Sequence, residues 1–438
     1  MRTILPVNIT LLAAGAGGMI CGSCLRDNTL AKALLRAGHQ ATLVPLYTPL
    51  RTDTPNVAIR QVFYGGVNAY LQYASPVFRH TPRFIDWLLD RNWLLKWAGG
   101  RGAQTSPASI GPFVLSILQG EHGPQVKELR RLVRHLRKGP RPDIVSIPSA
   151  LFLGLARALR DGLGAPVVCE LTGEDIFLEA MADPYKSQAR DAIRSRAADA
   201  DRFVATSRYY ADRMADYLSV PRDRIDVVYP GVDRAVLEFP SSIQNPKSKI
   251  QNPTIGYLAR ICPEKGLDRL IDALPILRKL PGMERARVRA GGYLGAAHQA
   301  WFDALRQHVA DQGLADAVEF VGELDLPGKV ALLDGVDVLC VPTAYAEPKG
   351  IFALEAMSRS TSVVLPDHGA FGEMIQHTGG GILVPPGDPH ALAQALAALL
   401  RDPDRRAALG AAGRRAVRQH FTDDAMAAAM VEVYRRPA

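Results

Sequence analysis

The sequence AEPKGIFALEAM at residues 346–357 follows an apolar run from Val336 to Val341. The pattern predicts a buried strand, a turn that contains a glycine, and then a helix, which together form the βα unit of a parallel sheet. The first amides of a helix have no intrahelical acceptor, and a helix N-terminus commonly binds phosphate. We therefore predict that the amides of Gly350, Ile351 and Phe352 point outward, unpaired, toward a diphosphate.

Two glutamates lie in this segment. Glu347 precedes the predicted helix, and Glu355 lies about one turn inside it. A carboxylate can accept both hydrogens of a ribose diol, so we assign Glu355 to a ribose and Glu347 to sugar hydroxyls. The alternative is that both are ordinary acidic residues near a helix N-terminus, stabilised by the helix dipole. The pair alone does not decide between these interpretations.

Two cations support the ligand-binding interpretation. Arg260 and Lys265 flank the turn after the first predicted strand of this half of the chain. Gly292 follows the second strand and is predicted to contact the same ligand. Cations at the carboxyl end of a strand would face a phosphate and neutralise a departing diphosphate. Pairing of these cations with acidic neighbours is the alternative.

Both halves of the chain alternate strand-like and helical patterns, which predicts an α/β protein with two Rossmann-like, doubly wound domains facing across a cleft. The first strand is predicted at Ile4 to Ala13, and one continuous helical segment at His390 to Phe421. The segment SSIQNPKSKIQNP at residues 241–253 contains the same tetrapeptide twice and is typical of a flexible linker.

Composition excludes several classes of protein. A chain of 438 residues with 47% hydrophobic residues suits two domains, and no apolar stretch approaches the length of about 20 residues that spans a bilayer. Five scattered cysteines argue against a disulfide framework and favour the cytoplasm. Cys21 and Cys24 form a C-x-x-C without a second ligand pair, so no metal site is predicted. A net charge of +8 fits nucleic acid, an anionic membrane or phosphate-bearing substrates equally well.

The glycine-rich turn after the first strand raises the possibility of a nicotinamide-dependent dehydrogenase. Its fingerprint fails, because the third glycine would fall at Ile20 and the second strand ends in Tyr47-Thr48 without an acid for the ribose. The turn contains Gly15, Gly17 and Gly18 and leads into a helical pattern. For this reason we interpret the apolar N-terminus as a strand and not as a signal peptide.

Two basic stretches in the N-terminal half suit contact with a membrane. The first contains Trp87, Trp93 and Trp97 among arginines and lysines, as expected of an interfacial helix or an acceptor-binding lid. An inserted helical hairpin with aromatic core residues is the alternative. The second, residues 126–138, is a basic amphipathic helix, for which a solvated face is the alternative to a membrane-facing one.

The C-terminal half resembles glycosyltransferase family 4, the retaining enzymes of the GT-B fold. The matching motifs span most of Thr254 to Ala398. They are Arg260…Lys265-Gly266, Gly291-Gly292, Val318-Glu319-Phe320-Val321-Gly322, Asp337, Glu347…Glu355-Ala356-Met357, Gly369…Glu373 and Gly380-Gly381-Ile382-Leu383-Val384-Pro385.

The N-terminal half is similar to the family as well. The resemblance implies that Gly17 and Gly18 approach the donor or the acceptor. Residues 171–175, LTGED, align with a family pattern that commonly has a histidine in contact with the donor sugar at its second position. Thr172 stands there and cannot carry a proton at neutral pH. Compensation by Asp175 or Glu174 is one expectation, and reduced activity is the alternative. Lys349 is a second departure, which brings an extra cation to the donor.

The resemblance implies an acceptor-binding domain at 1–236, a linker at 237–253, a nucleotide-sugar-binding domain at 254–420 and a C-terminal helix at 421–438, expected to pack back on the first domain. The expected activity is retaining transfer of a sugar from a nucleotide-diphosphate sugar to a glycan, lipid or small-molecule acceptor. Glu347, Arg260 and Lys265 would be catalytic. No metal or other cofactor and no nucleic acid is expected. The alternative is a non-catalytic nucleotide-sugar-binding pseudoenzyme. The expected location is the cytoplasm, with peripheral contact with the inner membrane face as an alternative.

Overall fold

The computed structural model describes residues 5–15, 19–65, 69, 71–73, 75–79, 107–240 and 252–436. Gly17, Gly18, the three tryptophans at positions 87, 93 and 97, and residues 241–251 of the predicted linker lie outside these ranges. The chain divides into two compact units. The N-terminal unit comprises Met1–Tyr229 and Asp424–Ala438, and the C-terminal unit comprises Pro230–Asp423.

The N-terminal unit is built on a six-stranded parallel sheet with the strand order β2-β1-β3-β4-β5-β6. Helices follow the strands along the chain, as parallel pairing requires. The strands are β1 Asn8–Ala13, β2 Gln40–Pro45, β3 Ile144–Ile147, β4 Val167–Leu171, β5 Arg202–Ala205 and β6 Ile225–Val227. The helices of this part of the chain are α1 Gly22–Arg36, α2 Pro107–Leu118, α3 Val126–Leu136, α4 Ala156–Leu163, α5 Glu174–Glu179, α6 Tyr185–Arg196 and α7 Arg208–Leu218.

The C-terminal unit has a second six-stranded parallel sheet, with the order β12-β11-β10-β7-β8-β9. Its strands are β7 Thr254–Leu258, β8 Arg287–Gly291, β9 Val318–Gly322, β10 Val338–Cys340, β11 Val363–Pro366 and β12 Gly381–Val384. The helices of this part are α8 Arg234–Leu237, α9 Leu267–Arg278, α10 Gln299–Asp311, α11 Leu326–Gly335, α12 Ile351–Ser358, α13 Phe371–Thr378, α14 Pro389–Arg401 and α15 Pro403–His420. Two parallel sheets with intervening helices confirm the predicted α/β class.

The last helix, α16 Asp423–Tyr434, packs on the N-terminal unit. Its side chains Met426, Met430 and Tyr434 are buried in one cluster with Leu11 of β1 and Leu30 of α1. Each fully buried apolar side chain of this size contributes roughly 1.5–3 kcal/mol. The core on this face of the first sheet is therefore assembled from both ends of the described chain.

A buried ion pair crosses the same face. Arg26 of α1 donates to the carboxylate of Glu170 on β4, which also accepts a hydrogen bond of 2.7 Å from Ser146 Oγ. Arg26 and Glu170 are both almost fully buried. Because an isolated buried charge is costly, each of these residues depends on the other for its place in the core.

Three predicted boundaries were wrong. The predicted helix from His390 to Phe421 is two helices, because Asp402 caps a new one. Its Oδ1 accepts a hydrogen bond from the Arg405 amide at 2.8 Å, and Pro403 takes the first helical position, where no amide is needed. The first strand starts at Asn8, because residues 5–7, which the prediction included, lie outside it. The strand before the glutamates is shorter than predicted, with the bounds of β10.

Candidate active site

The candidate site lies at the carboxyl ends of two central strands of the second sheet. β7 and β10 are neighbours, and the strand order reverses between them, because β8 and β9 follow on one side and β11 and β12 on the other. Ligands of open α/β sheets bind outside the carboxyl ends of the strands at such a switch point. The turn with Arg260 and Lys265 follows β7, and the segment with Glu347 follows β10.

Backbone hydrogen bonds tie these loops together. The Ala344 amide donates to the Glu264 carbonyl at 2.8 Å, which joins the loop after β10 to the turn after β7. The Ala370 amide donates to the Glu347 carbonyl at 2.8 Å, which joins the loop after β11 to the same segment. The backbone of Glu347 is thus held in place by a main-chain contact from a neighbouring loop, independently of its side chain.

Glycines make these close approaches possible. Gly266 has φ +72°, and a Cβ there would lie 1.9 Å from the Pro342 carbonyl oxygen. Gly369 has φ +61°, and a Cβ there would lie 2.5 Å from the backbone nitrogen and oxygen of Glu347. Both positions need the left-handed conformation and the missing side chain that only glycine combines. At Gly292 a Cβ would meet the Ala259 carbonyl oxygen at 1.7 Å, so this predicted donor contact also has a structural reason to be glycine.

Glu347 is the most constrained carboxylate of the site. Its Oε2 accepts hydrogen bonds from Lys265 Nζ at 2.6 Å and from the Tyr345 hydroxyl at 2.8 Å, and the side chain is almost fully buried. Burial by itself would raise the pKa of Glu347. The charge and hydrogen bond of Lys265, with the hydrogen bond of Tyr345, outweigh it and lower the pKa to about 2. The carboxylate is therefore ionised at neutral pH.

Lys265 lies among aromatic and acidic groups. Its Nζ also donates to the Tyr345 hydroxyl at 2.5 Å, and it lies 5.0 Å from the ring centre of Tyr345 and 5.6 Å from that of Phe352. Lys265 therefore pairs with an acidic neighbour, the alternative considered from the sequence. Arg260 is exposed.

The helix N-terminus differs from the prediction at one amide. Gly350 precedes α12 with φ +59°, and its amide donates to Glu347 Oε1 at 3.3 Å, so it does not point outward unpaired. Gly350 itself takes the N-cap position, and the Glu347 carboxylate lies beside the N-terminus of this helix, where the helix dipole favours negative charge. Ile351 and Phe352 begin the helix and are half-buried. A Cβ at Gly350 would also lie 2.9 Å from Phe371 and Met374, so packing and close ligand approach both favour glycine.

Among the described hydrogen bonds, none joins the side chains of Glu355 and Glu347. Glu355 instead pairs with a residue that the sequence analysis missed. Lys329 Nζ of α11 donates to Glu355 Oε1 at 2.5 Å, and both side chains are about nine-tenths buried. A signal was present in the sequence, because Lys329 lies on the same helix face as the buried Leu332 and Leu333, where a lysine is unexpected without a partner.

The N-terminal candidates lie after β4. Thr172 is half-buried, and its hydroxyl donates to the Pro148 carbonyl at 3.4 Å. Asp175 is buried and accepts hydrogen bonds from the Tyr210 hydroxyl at 2.8 Å and from Arg213 Nε at 2.5 Å. Its carboxylate is therefore engaged by its own unit.

Glu174 closes the same turn. Its carboxylate accepts hydrogen bonds from the backbone amides of Ala150, Thr172 and Gly173 at 3.0 Å or less. Burial raises the pKa of Glu174 against these hydrogen bonds. The Glu174 carboxylate therefore joins the loops after β3 and β4 and holds the backbone of Thr172 in position.

Cys21 and Cys24 lie at the start of α1. Cys21 and Cys24 form no disulfide, and a hydrogen bond with Cys21 together with burial raises the pKa of Cys24 well above its ordinary value. Within the described ranges, we find no group of three or more histidine, cysteine or acidic side chains placed to hold a metal ion.

Two family models match the chain. The model described as Glycosyltransferase Family 4 matches residues 28–236, and the model described as Glycosyl transferases group 1 matches residues 239–416. The chain belongs to the family 4-type glycosyltransferases. The resemblance inferred from the motifs around Glu347 and Glu355 is thus confirmed.

Two relatives within this group share about a third of the aligned residues. The GDP-mannose-dependent alpha-(1-6)-phosphatidylinositol monomannoside mannosyltransferase of Mycobacterium tuberculosis is 31% identical over 258 residues, which cover 56% of this chain and 65% of that protein. The D-inositol 3-phosphate glycosyltransferase of Nocardia farcinica is 31% identical over 218 residues, 49% of this chain and 48% of that protein. The chain therefore matches less than two thirds of the length of either relative.

A solved structure extends the likeness over nearly the whole chain. HepE of Anabaena, in complex with UDP and glucose, has a TM-score of 0.67 and 18% identity over 98% of this chain and 99% of that one. At this identity the likeness concerns the fold, and it confirms the predicted GT-B architecture. In the described part of this chain, no helix is long and apolar enough to cross a bilayer.

Proposed function

We propose that this chain is a retaining glycosyltransferase that moves a sugar from a nucleotide-diphosphate sugar to a glycan, lipid or small-molecule acceptor. The observation that carries the proposal is Glu347. It is buried and ionised, paired with Lys265, beside a helix N-terminus at the switch point of the second sheet. A structural salt bridge needs no such location, whereas a nucleotide-sugar site does.

The residues divide the work as follows. Arg260, Lys265 and the first amides of α12 supply positive charge for the departing diphosphate. Glu347 accepts hydrogen bonds from sugar hydroxyls and orients the anomeric carbon. Glu355 accepts hydrogen bonds from the ribose. In a retaining reaction the acceptor attacks the face that the diphosphate leaves, and the leaving phosphate takes the acceptor's proton. Positioning and charge stabilisation are then the protein's main contributions, and no metal is required.

We further propose a hexose as the transferred sugar. The relatives include a GDP-mannose-dependent enzyme, and the similar solved structure holds UDP and glucose. A thermal-shift screen of GDP-mannose and UDP-linked hexoses against the full chain tests this donor class. Stabilisation by none of them would contradict it.

Transfer itself is tested with labelled donors and acceptor extracts. Glu355→Ala is expected to weaken binding of the nucleoside diphosphate alone, and Glu347→Ala mainly to slow transfer, because the two side chains contact different parts of the donor. Unchanged affinity in Glu355→Ala would refute its ribose role. Thr172, in place of the family's histidine, motivates the alternative of a non-catalytic nucleotide-sugar-binding protein. Donor binding without turnover on any acceptor extract would favour that alternative.

We also propose a peripheral contact with anionic lipid through α3. Arg130, Arg134 and Lys138 are spaced four residues apart on or just beyond this helix and are exposed, while Leu129 and Leu132 face the core. Each basic residue near an anionic surface contributes about 1 kcal/mol. Co-sedimentation with anionic vesicles should fall in Arg130→Glu/Arg134→Glu. The control is Arg414→Glu/Arg415→Glu, the same charge change at exposed sites of α15. Equal losses in both would refute a specific role for α3.

A further inference from the structure

The pair Lys329–Glu355 is separate from the Lys265–Glu347 pair. It joins two helices, because Lys329 belongs to α11 and Glu355 to α12, with Nζ and Oε1 2.5 Å apart. Only about a tenth of either side chain is exposed. The sequence motifs that indicate the family include Glu355 but not Lys329.

The backbone of Lys329 is held by contacts that do not involve Glu355. Asp325 caps the start of α11: its Oδ1 accepts the Gly328 amide at 2.9 Å, and its carbonyl accepts the Lys329 amide at 2.8 Å. Lys329 therefore lies in the first turn of a capped helix, where its backbone has little freedom. An ammonium held in this way fixes the direction of the carboxylate with which it pairs.

A buried ion pair needs a reason to persist. The desolvation of two charges often cancels their attraction, so an apolar pair of similar volume would stabilise the fold as well or better. A carboxylate that must accept two hydrogen bonds from a diol has a different requirement. It must be ionised and must already point in the right direction when the ligand arrives, and a nearby cation supplies both conditions.

From this geometry we infer that Lys329 is a positioning residue for the ribose of the donor nucleotide, acting through Glu355. The inference rests on the proposed function, because it assumes that Glu355 accepts hydrogen bonds from a ribose. Lys329 itself need not contact the ligand. Its removal leaves Glu355 in place but without the partner that orients it.

The inference predicts a change in ribose discrimination and not only in affinity. Calorimetry on the full chain compares GDP and UDP with their 2′,3′-dideoxy forms. Hydrogen bonds to a charged group are strong. Whichever of GDP and UDP binds more tightly to the unaltered protein should therefore bind at least about tenfold more tightly than its own dideoxy form. In Lys329→Met that ratio should fall to within about threefold, while Lys329→Arg, which retains the charge, should restore part of it.

A control variant separates positioning from general loss of stability. Arg359→Met removes the cation of another buried pair that involves α11, since Arg359 donates to Asp334 at 2.6 Å. It should lower stability and leave the ribose ratio unchanged. Lys329→Met/Glu355→Gln removes both charges, so the double variant stays well folded even where the single one does not, and it should also lack the ribose preference.

The outcomes distinguish the inference from the function on which it rests. If the unaltered protein prefers ribose and Lys329→Met keeps the full ratio, the inference is overturned and the proposed function stands. If Arg359→Met lowers the ratio as much as Lys329→Met, the effect is structural and the inference is also overturned. If the unaltered protein binds none of the four nucleotides, the proposed donor site itself is wrong.

Discussion

Glu347 gives the chain a pH-dependent stability that Glu347→Gln should remove. The Lys265 ammonium and the Tyr345 hydroxyl lie 2.6 and 2.8 Å from its carboxylate and, against burial, lower the pKa from the ordinary 4.5 to about 2. Because the pKa is lowered in the folded state, the ionised group stabilises the fold fully above pH 4.5. That contribution is lost as the pH falls through about 2.

The size follows from the shift. Each unit of pKa difference corresponds to 1.36 kcal/mol, so a lowering of this size makes the ionised carboxylate contribute about 3 kcal/mol near neutral pH. Roughly 2 kcal/mol of this should be gone at pH 3. Glu347→Gln cannot ionise. The difference in free energy of unfolding between the unaltered protein and the variant should therefore shrink by about 2 kcal/mol between pH 6 and pH 3.

Hydrogen-exchange mass spectrometry on the full chain is the suitable assay, read on peptides that cover β7, β10 and β11, because a chain with two units need not unfold in one step. The control is Glu319→Gln. Its carboxylate forms an exposed pair with Arg289 at 2.9 Å and should contribute less than about 1 kcal/mol at any pH. A difference for Glu347→Gln that stays constant from pH 6 to pH 3 would refute the claim that ionisation is what stabilises this pair.

Two further predictions concern stability. Gly369→Ala should lower the free energy of unfolding by more than about 2 kcal/mol and weaken nucleoside diphosphate binding, because its Cβ would clash with the Glu347 backbone. Unchanged melting temperature and affinity would argue against this prediction. Arg26→Met should cost roughly 3–5 kcal/mol by leaving Glu170 buried without its cation. Its control, Arg36→Met, removes an exposed pair and should cost about 1 kcal/mol or less; equal losses in urea unfolding would contradict the assignment.

The fold was predictable because its elements are encoded locally. Alternating apolar and helical patterns indicated the strands of both sheets, and the motif around Glu347 indicated the family. Even the break between α14 and α15 has a local signal that the prediction overlooked, Asp402 before Pro403, a capping residue followed by a residue suited to the first helical turn.

The contacts of the site were not predictable in the same way. Lys329 and Glu355 are 26 residues apart, and their pairing depends on how α11 and α12 pack on the sheet. The role of Tyr345, which contacts both Lys265 and Glu347, depends on the course of the loop after β10. The Gly350 amide was predicted to be unpaired and to face a ligand, but it donates a hydrogen bond to the Glu347 carboxylate. Tertiary geometry decides such pairings, and local pattern carries little information about it.

The position of α16 has a consequence for how the chain folds during synthesis. The C-terminal unit is one uninterrupted stretch, Pro230–Asp423, so all of it has left the ribosome before α16 emerges. The N-terminal unit is translated first, yet it lacks Met430 and Tyr434 until the end of this sequence is made. The part of this sheet face that α16 covers beside α1 thus stays exposed while the later unit folds, and chaperones would have their longest opportunity to bind there.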